Sequence, residues 1–144
     1  MVETMLSDAG VPPRPELVEW WMWHDGAGPG RQEDSELAES WHLLRLEDAL
    51  ELRRELAAAY ADAGAPDRWP ASWQPLLAFA GAPILCVDGA TGTVHIEDAG
   101  FPDPAPPQFS SLEDLVRTVL RAVDEGITAR SAADDPDLRR LWWW

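Results

Sequence analysis

Apolar positions along the chain form two kinds of pattern, stripes of helical spacing and short strand-like runs, separated by breaks rich in glycine and proline. Val2, Met5 and Leu6 share one side of a short helix over residues 2–9, which Ala9-Gly10 and Pro12-Pro13 end. A second helix is predicted to start near Pro15, because proline suits a first-turn position, and to run to Trp23 or His24 before Gly26 stops it. Residues 25–39 (DGAGPGRQEDSELAE) are glycine-rich and then acidic, and read as an exposed loop. WHLLRL at 41–46 reads as a short strand. Leu46, Ala49, Leu50, Arg53, Leu56 and Tyr60 then recur at three- and four-residue spacing, which predicts a helix closed by Gly64.

Residues 65–75 (APDRWPASWQP) hold three prolines and two tryptophans, a composition for a packed connector. Three strand-like stretches follow: PLLAFA at 75–80, PILCVD at 83–88 and GTVHIED at 92–98. The turn Gly89-Ala90-Thr91-Gly92 joins the last two as an antiparallel hairpin. After a proline-rich loop over 100–109, Leu112, Leu115, Val116, Val119, Leu120, Val123 and Ile127 make the longest apolar stripe in the chain. Ser110 and Glu113 stand at capping-box spacing at its start. Beyond Gly126 the pattern lapses, and DDPDLRRLWWW predicts a short terminal helix, capped by Asp135, begun by Pro136, with Leu138, Leu141 and Trp142 on one face. The order of elements predicts an α+β fold, a single domain with an antiparallel β-sheet and helices packed around it, over residues 1–127, followed by a C-terminal tail at 128–144 that can dock as a short helix.

Tryptophan is concentrated at two places, EWWMWHDGAG at 19–28 and the terminal WWW. With a helical advance of about 100° per residue, Leu17, Trp20, Trp21 and His24 share one face, which predicts Trp20 and Trp21 as core. Trp23 falls on the opposite side, beside Glu16 and Glu19, and either lies under the 25–39 loop or is exposed as an interaction anchor. Trp142, Trp143 and Trp144 either dock and bury the tail or form an exposed patch that binds a partner.

Charge narrows the classes of function. The 144 residues carry 26 acids and 11 bases, every base an arginine, for a formal net charge of −15. Such a surface repels nucleic-acid phosphates and suits either a basic protein partner or no partner at all, since acidity also keeps a protein soluble. The single cysteine, Cys86, excludes an internal disulfide and a CxxC metal pair and fits a reducing, cytoplasmic setting. No run approaches the roughly 18 apolar residues of a membrane helix, and the start MVETMLSDAG lacks the basic-then-apolar order of a secretory signal.

Candidate chemistry is sparse. His24, His42, His95, Asp25, Asp88, Glu97 and Asp98 form no HExxH, no paired Cys/His set and no calcium loop, so no metal or other cofactor is expected. Cys86 sits mid-strand among apolar neighbours, and Ser110 and Ser111 serve a helix cap. Neither a GxSxG elbow nor a phosphate loop is present, since GAGPG at 26–30 leaves a helix and has no following lysine. A small hydrolase would require His24 and Asp25 to converge with a third group, and the expectation is that the chain is not an enzyme.

Taken in order, AGVPPRPELVEWWMWHDGAG, WHLLRLEDALELRREL, WPASWQPLLAFAG, ILCVDGATGTVHIED and SSLEDLVRTVLRAV resemble the SUKH superfamily, which includes fungal cell-wall-synthesis regulators and bacterial toxin-immunity proteins. Asp25-Gly26 stands at that family's helix-ending Asn-Gly, and the resemblance covers about residues 2–126. One departure is Gly81-Ala82-Pro83, where the family often has Gly-Asp or Gly-Gly between central strands. The resemblance implies a non-enzymatic domain that binds and neutralises a cognate toxin, often a basic nuclease. On that expectation Glu33, Asp34, Glu36 and Glu39, with Trp23, are the contacts. An alternative is a regulatory adaptor that recruits partners through Trp142, Trp143 and Trp144 or the proline-rich loop.

Overall fold

In the computed structural model, described for residues 1–23, 36–38, 41–79, 83–98 and 106–142, five helices surround a five-stranded antiparallel sheet, an α+β fold. Helices α1 (Val2–Asp8) and α2 (Pro15–Trp23) come first. Strands β1 (Glu36–Ala38) and β2 (Trp41–Leu43) follow, then α3 (Leu46–Asp62), β3 (Trp73–Phe79), β4 (Ile84–Asp88), β5 (Val94–Glu97), α4 (Leu112–Asp124) and α5 (Pro136–Arg139). The strands pair in chain order, β1-β2-β3-β4-β5. Residues 36–38, predicted as part of a loop, are a strand. Three residues are too few to show an alternation in sequence, and the pairing of Glu36 with His42 and Ala38 with Trp41 makes the element.

The third strand begins at Trp73, before the apolar run that suggested it, and carries Pro75 although it lies inside the sheet. Two features make that proline tolerable. The short β2 reaches only Leu77–Phe79, so Pro75 has no ladder neighbour on that side, and the register with β4 slips between Pro75 and Leu77.

Alternation along the strands gives the sheet two apolar faces. Trp41, Leu77, Leu85, Val87, Val94 and Ile96 face the main core, where Leu6, Leu17, Trp20, Trp21, Leu115, Val119 and Leu138 close over them. Trp73, Ile84 and Cys86 face the other way, against Trp69 of the connector and Leu52, Leu56 and Tyr60 of α3. Helix α3 stops where Gly64 adopts φ +72°, with the Ala65 amide donating back to the Tyr60 carbonyl at 2.9 Å. Gly126, at φ +62°, ends α4 the same way.

Two details of α4 differ from the sequence expectation. Its cap is Ser111, which accepts the Asp114 amide at 3.1 Å, while the Asp114 carboxylate takes the Ser110 amide at 3.0 Å. The box is therefore Ser111 with Asp114, one position later than Ser110 with Glu113. The buried face is also rotated: Leu112, Leu115, Thr118, Val119 and Ala122 point inward, whereas Leu120 and Val123 are each 56% exposed. The apolar arc of α4 is wider than its contact with the core, and the buried Thr118 hydroxyl is satisfied by donating to the Asp114 carbonyl at 2.8 Å and accepting from Arg140 after α5 at 3.1 Å.

The tail after residue 127 belongs to the same core. Ala132, Leu138, Leu141 and Trp142 are buried in it, and the Trp41 indole donates to the Leu141 carbonyl at 2.5 Å. As predicted, Asp135 caps α5, accepting the amides of Asp137 and Leu138 at 3.0 and 3.2 Å.

Candidate functional site: an acidic and aromatic surface

The residues singled out from sequence divide sharply by position. Trp20 and Trp21 are buried on the inner side of α2, and Trp23 on the outer side is 67% exposed. Its ring meets Trp20 edge-on, with centroids 6.1 Å apart at 62°, so the exposed indole leans on a buried one. Met22 beside it is 73% exposed. Glu36 lies on β1, the edge strand of the sheet. Glu33, Asp34 and Glu39 lie outside the described residues, as do His24, Asp25, Trp143 and Trp144. Trp142, at 7% exposure, packs into the main core, which removes it from the surface available to a partner. Its burial follows from the chain turning inward after α5 so that Leu141 and Trp142 meet the sheet.

Arginine, more than acid, is unevenly placed along the chain. Residues 1–105 hold 19 of the 26 acids and six arginines, and residues 106–144 hold seven acids and five arginines. Among the six arginines, Arg53 is engaged internally: its guanidinium donates to the carbonyls of Ala9, Ala71 and Trp73 at 2.8, 2.5 and 3.1 Å. Burial lowers its pKa from the ordinary value, which the three carbonyl contacts offset structurally by giving each donor edge a partner. Arg14 pairs with Glu16 at 2.5 Å. The Glu16 carboxyl is held below its usual value by its backbone hydrogen bond and by Arg14.

Two further clusters were not singled out from sequence. The first is a row of rings on the α3 side of the sheet. Tyr60 stacks on Trp69 at 6.5 Å, Trp69 meets Trp73 edge-on at 5.9 Å, and Trp73 stacks on His95 at 4.7 Å. His95 Nε2 lies 2.7 Å from the Thr93 hydroxyl, and the Tyr60 hydroxyl donates to Glu97. Nearby Asp88 is pushed up by burial but held below its ordinary pKa on balance by hydrogen bonds from Ser72, the Ala90 amide and Thr91, and by His95. Cys86, on the same face, is fully buried, and burial with the Glu97 charge pushes its thiol pKa well up. A buried, protonated thiol is a poor nucleophile. The second cluster is a groove of about 530 Å³ between α1 and α3, lined by Met5, Asp8, Ala9, Leu50, Arg53 and Arg54 among others. Its lining mixes both signs of charge, and Arg53 is already occupied.

The aromatic row was hidden in the sequence because its members come from α3, the connector, β3 and β5; only the strand register brings Trp73 beside His95. Among the described residues, no group of three or more His, Cys, Asp or Glu side chains is placed to hold a metal ion. No helix among them is long and apolar enough to cross a membrane. The described surface exposes large apolar side chains at Leu120 and Val123 of α4 and, more fully, at Met22 and Trp23 of α2, the latter pair within the net acidic stretch 1–105. No family model, curated protein or solved structure matches this chain.

Proposed function

We propose that this chain is a cytoplasmic, non-enzymatic binding domain of the SUKH type, an immunity protein that covers the basic surface of a cognate toxin. The observation that carries the reading is the exposed Trp23 within residues 1–105, a stretch with 19 acids and six arginines. A surplus of like charge steers an oppositely charged partner into encounter, and a few aromatic anchors then supply most of the affinity. Nuclease-type toxins fit this description, since a cleft that binds nucleic acid is basic. The adaptor alternative loses Trp142, which is buried, while Trp143 and Trp144 lie outside the described residues.

Co-expression with the product of the adjacent gene tests the proposal. The expected result is a complex that survives purification and restores growth to cells making that product. If no complex forms and growth is not restored, the immunity reading is refuted.

A further inference from the structure

Helix α2 presents two unlike faces. Leu17, Val18, Trp20 and Trp21 are buried, while Glu16, Glu19, Met22 and Trp23 look outward. Side chains four residues apart on a helix are neighbours, with Cβ atoms about 5–6 Å apart, so the Glu19 carboxylate stands one turn before the Trp23 ring. Glu16 is engaged by Arg14, whereas Glu19 has no hydrogen bond or ion pair among the described residues. The edge-on contact with buried Trp20 limits the rotation of Trp23, so less freedom is lost when a ligand settles on it.

We infer that this outer face of α2 is a receptor for an arginine side chain presented by a cationic protein. The guanidinium donates to the Glu19 carboxylate while its plane lies against the Trp23 ring, and Met22 packs on the aliphatic stem. Arginine fits better than lysine because a flat, weakly hydrated cation can stack on an indole and bond a carboxylate at once. The occupant follows from charge: a second copy of this chain would bring acids onto acids, and a phospholipid or nucleic-acid surface would bring phosphate onto them. The inference rests on the basic-partner reading above and assigns it a point of contact.

The test uses the full-length, ¹⁵N-labelled chain titrated with a capped hexaarginine peptide and, separately, with hexalysine. The Trp23 indole N–H is assigned by its loss in Trp23→Leu, which keeps apolar bulk and removes the ring. The receptor predicts that the Trp23 indole and Glu19 amide signals shift first and saturate together, with hexalysine about threefold weaker. Glu19→Gln and Trp23→Leu should each weaken hexaarginine binding about fivefold, whereas Glu51→Gln on α3, which removes the same charge, should weaken it less than about twofold. Spectra that match wild type away from α2 establish that the variants are folded. Equal weakening by Glu19→Gln and Glu51→Gln, unshifted Trp23, or equal affinity for the two peptides would overturn the receptor. If the adjacent gene product binds Trp23→Leu as tightly as wild type, the receptor is refuted while the immunity reading stands. If hexaarginine selects Trp23 and no adjacent gene product binds, the receptor stands and the immunity reading falls.

Discussion

Helix α2 and the α4–α5 region both carry acids, yet they use them differently. Around α4 and α5 the charges are spent on the fold. Arg140 bonds the Asp114 carboxylate through both terminal nitrogens, at 2.7 and 3.1 Å, and lies 4.7 Å from the Phe109 ring centroid. Arg121 joins Glu125 and Asp135, and Arg117 joins Glu113. On α2, among the described residues, Glu16 has its arginine and Glu19 stands beside an exposed tryptophan. Charges cross-linked between elements stabilise a tertiary arrangement, whereas surplus charge beside apolar surface is available to a partner. The comparison therefore predicts that substitutions around α5 act on stability and substitutions on the outer face of α2 act on binding.

The largest effect should come from the inner side of α2. Trp21 is fully buried in the main core, so Trp21→Ala should cost about 3–5 kcal/mol in denaturant unfolding, while Trp23→Ala should cost less than about 1 kcal/mol. Similar losses for the two would erase the distinction between the faces of α2. Arg140→Ala should follow, at about 2 kcal/mol, because it removes the bidentate pair with Asp114, the bond to Thr118 and the contact with Phe109 together. Thermal denaturation would register it as a lowered melting temperature.

Acid titration sharpens the same contrast. Hydrogen bonds from Arg140, with smaller help from Ser110, hold Asp114 down at about 2 from an ordinary 3.8. A carboxyl with a depressed folded-state pKa contributes its stability above the unfolded value and loses it as pH falls through the folded value. Between about pH 4 and pH 2, wild type should therefore lose on the order of 1 kcal/mol through this group, after allowance for solvent screening. Urea midpoints measured across that range should show the loss, and Arg140→Ala should flatten it. The smallest effect belongs to Glu19→Gln, whose stability should stay within about 0.5 kcal/mol of wild type.

Legibility from sequence followed the physics that sets each element. The start of α2 at Pro15, the inward Trp20 and Trp21 and the Asp135-Pro136 start of α5 depend on local capping and helical period, and are readable in the sequence; the Gly26 stop lies outside the described residues. The rotation of α4 was not, because Val116, Leu120 and Val123 satisfy the same period as the buried positions. The buried positions are those that meet the main core, whose sheet and α2 members are distant in sequence. Strand β1 was missed because its pairing with β2, and not its own pattern, defines it. At the candidate surface, the spacing of Glu19 and Trp23 was visible from the helical period, and the exposure of Trp23 on the acidic side of α2 matches it. The burial of Trp142 depends on tertiary docking after α5, which no local pattern reports, and Trp143 and Trp144 lie outside the described residues.

The central claim is that the surplus acid on residues 1–105 serves to meet a basic partner. The direct measurement is the association rate constant with the adjacent gene product as salt rises from about 50 to about 500 mM, a range over which screening shortens the reach of surface charge. Association should fall about tenfold or more, with dissociation changing less than about threefold. An association rate indifferent to salt would contradict the claim.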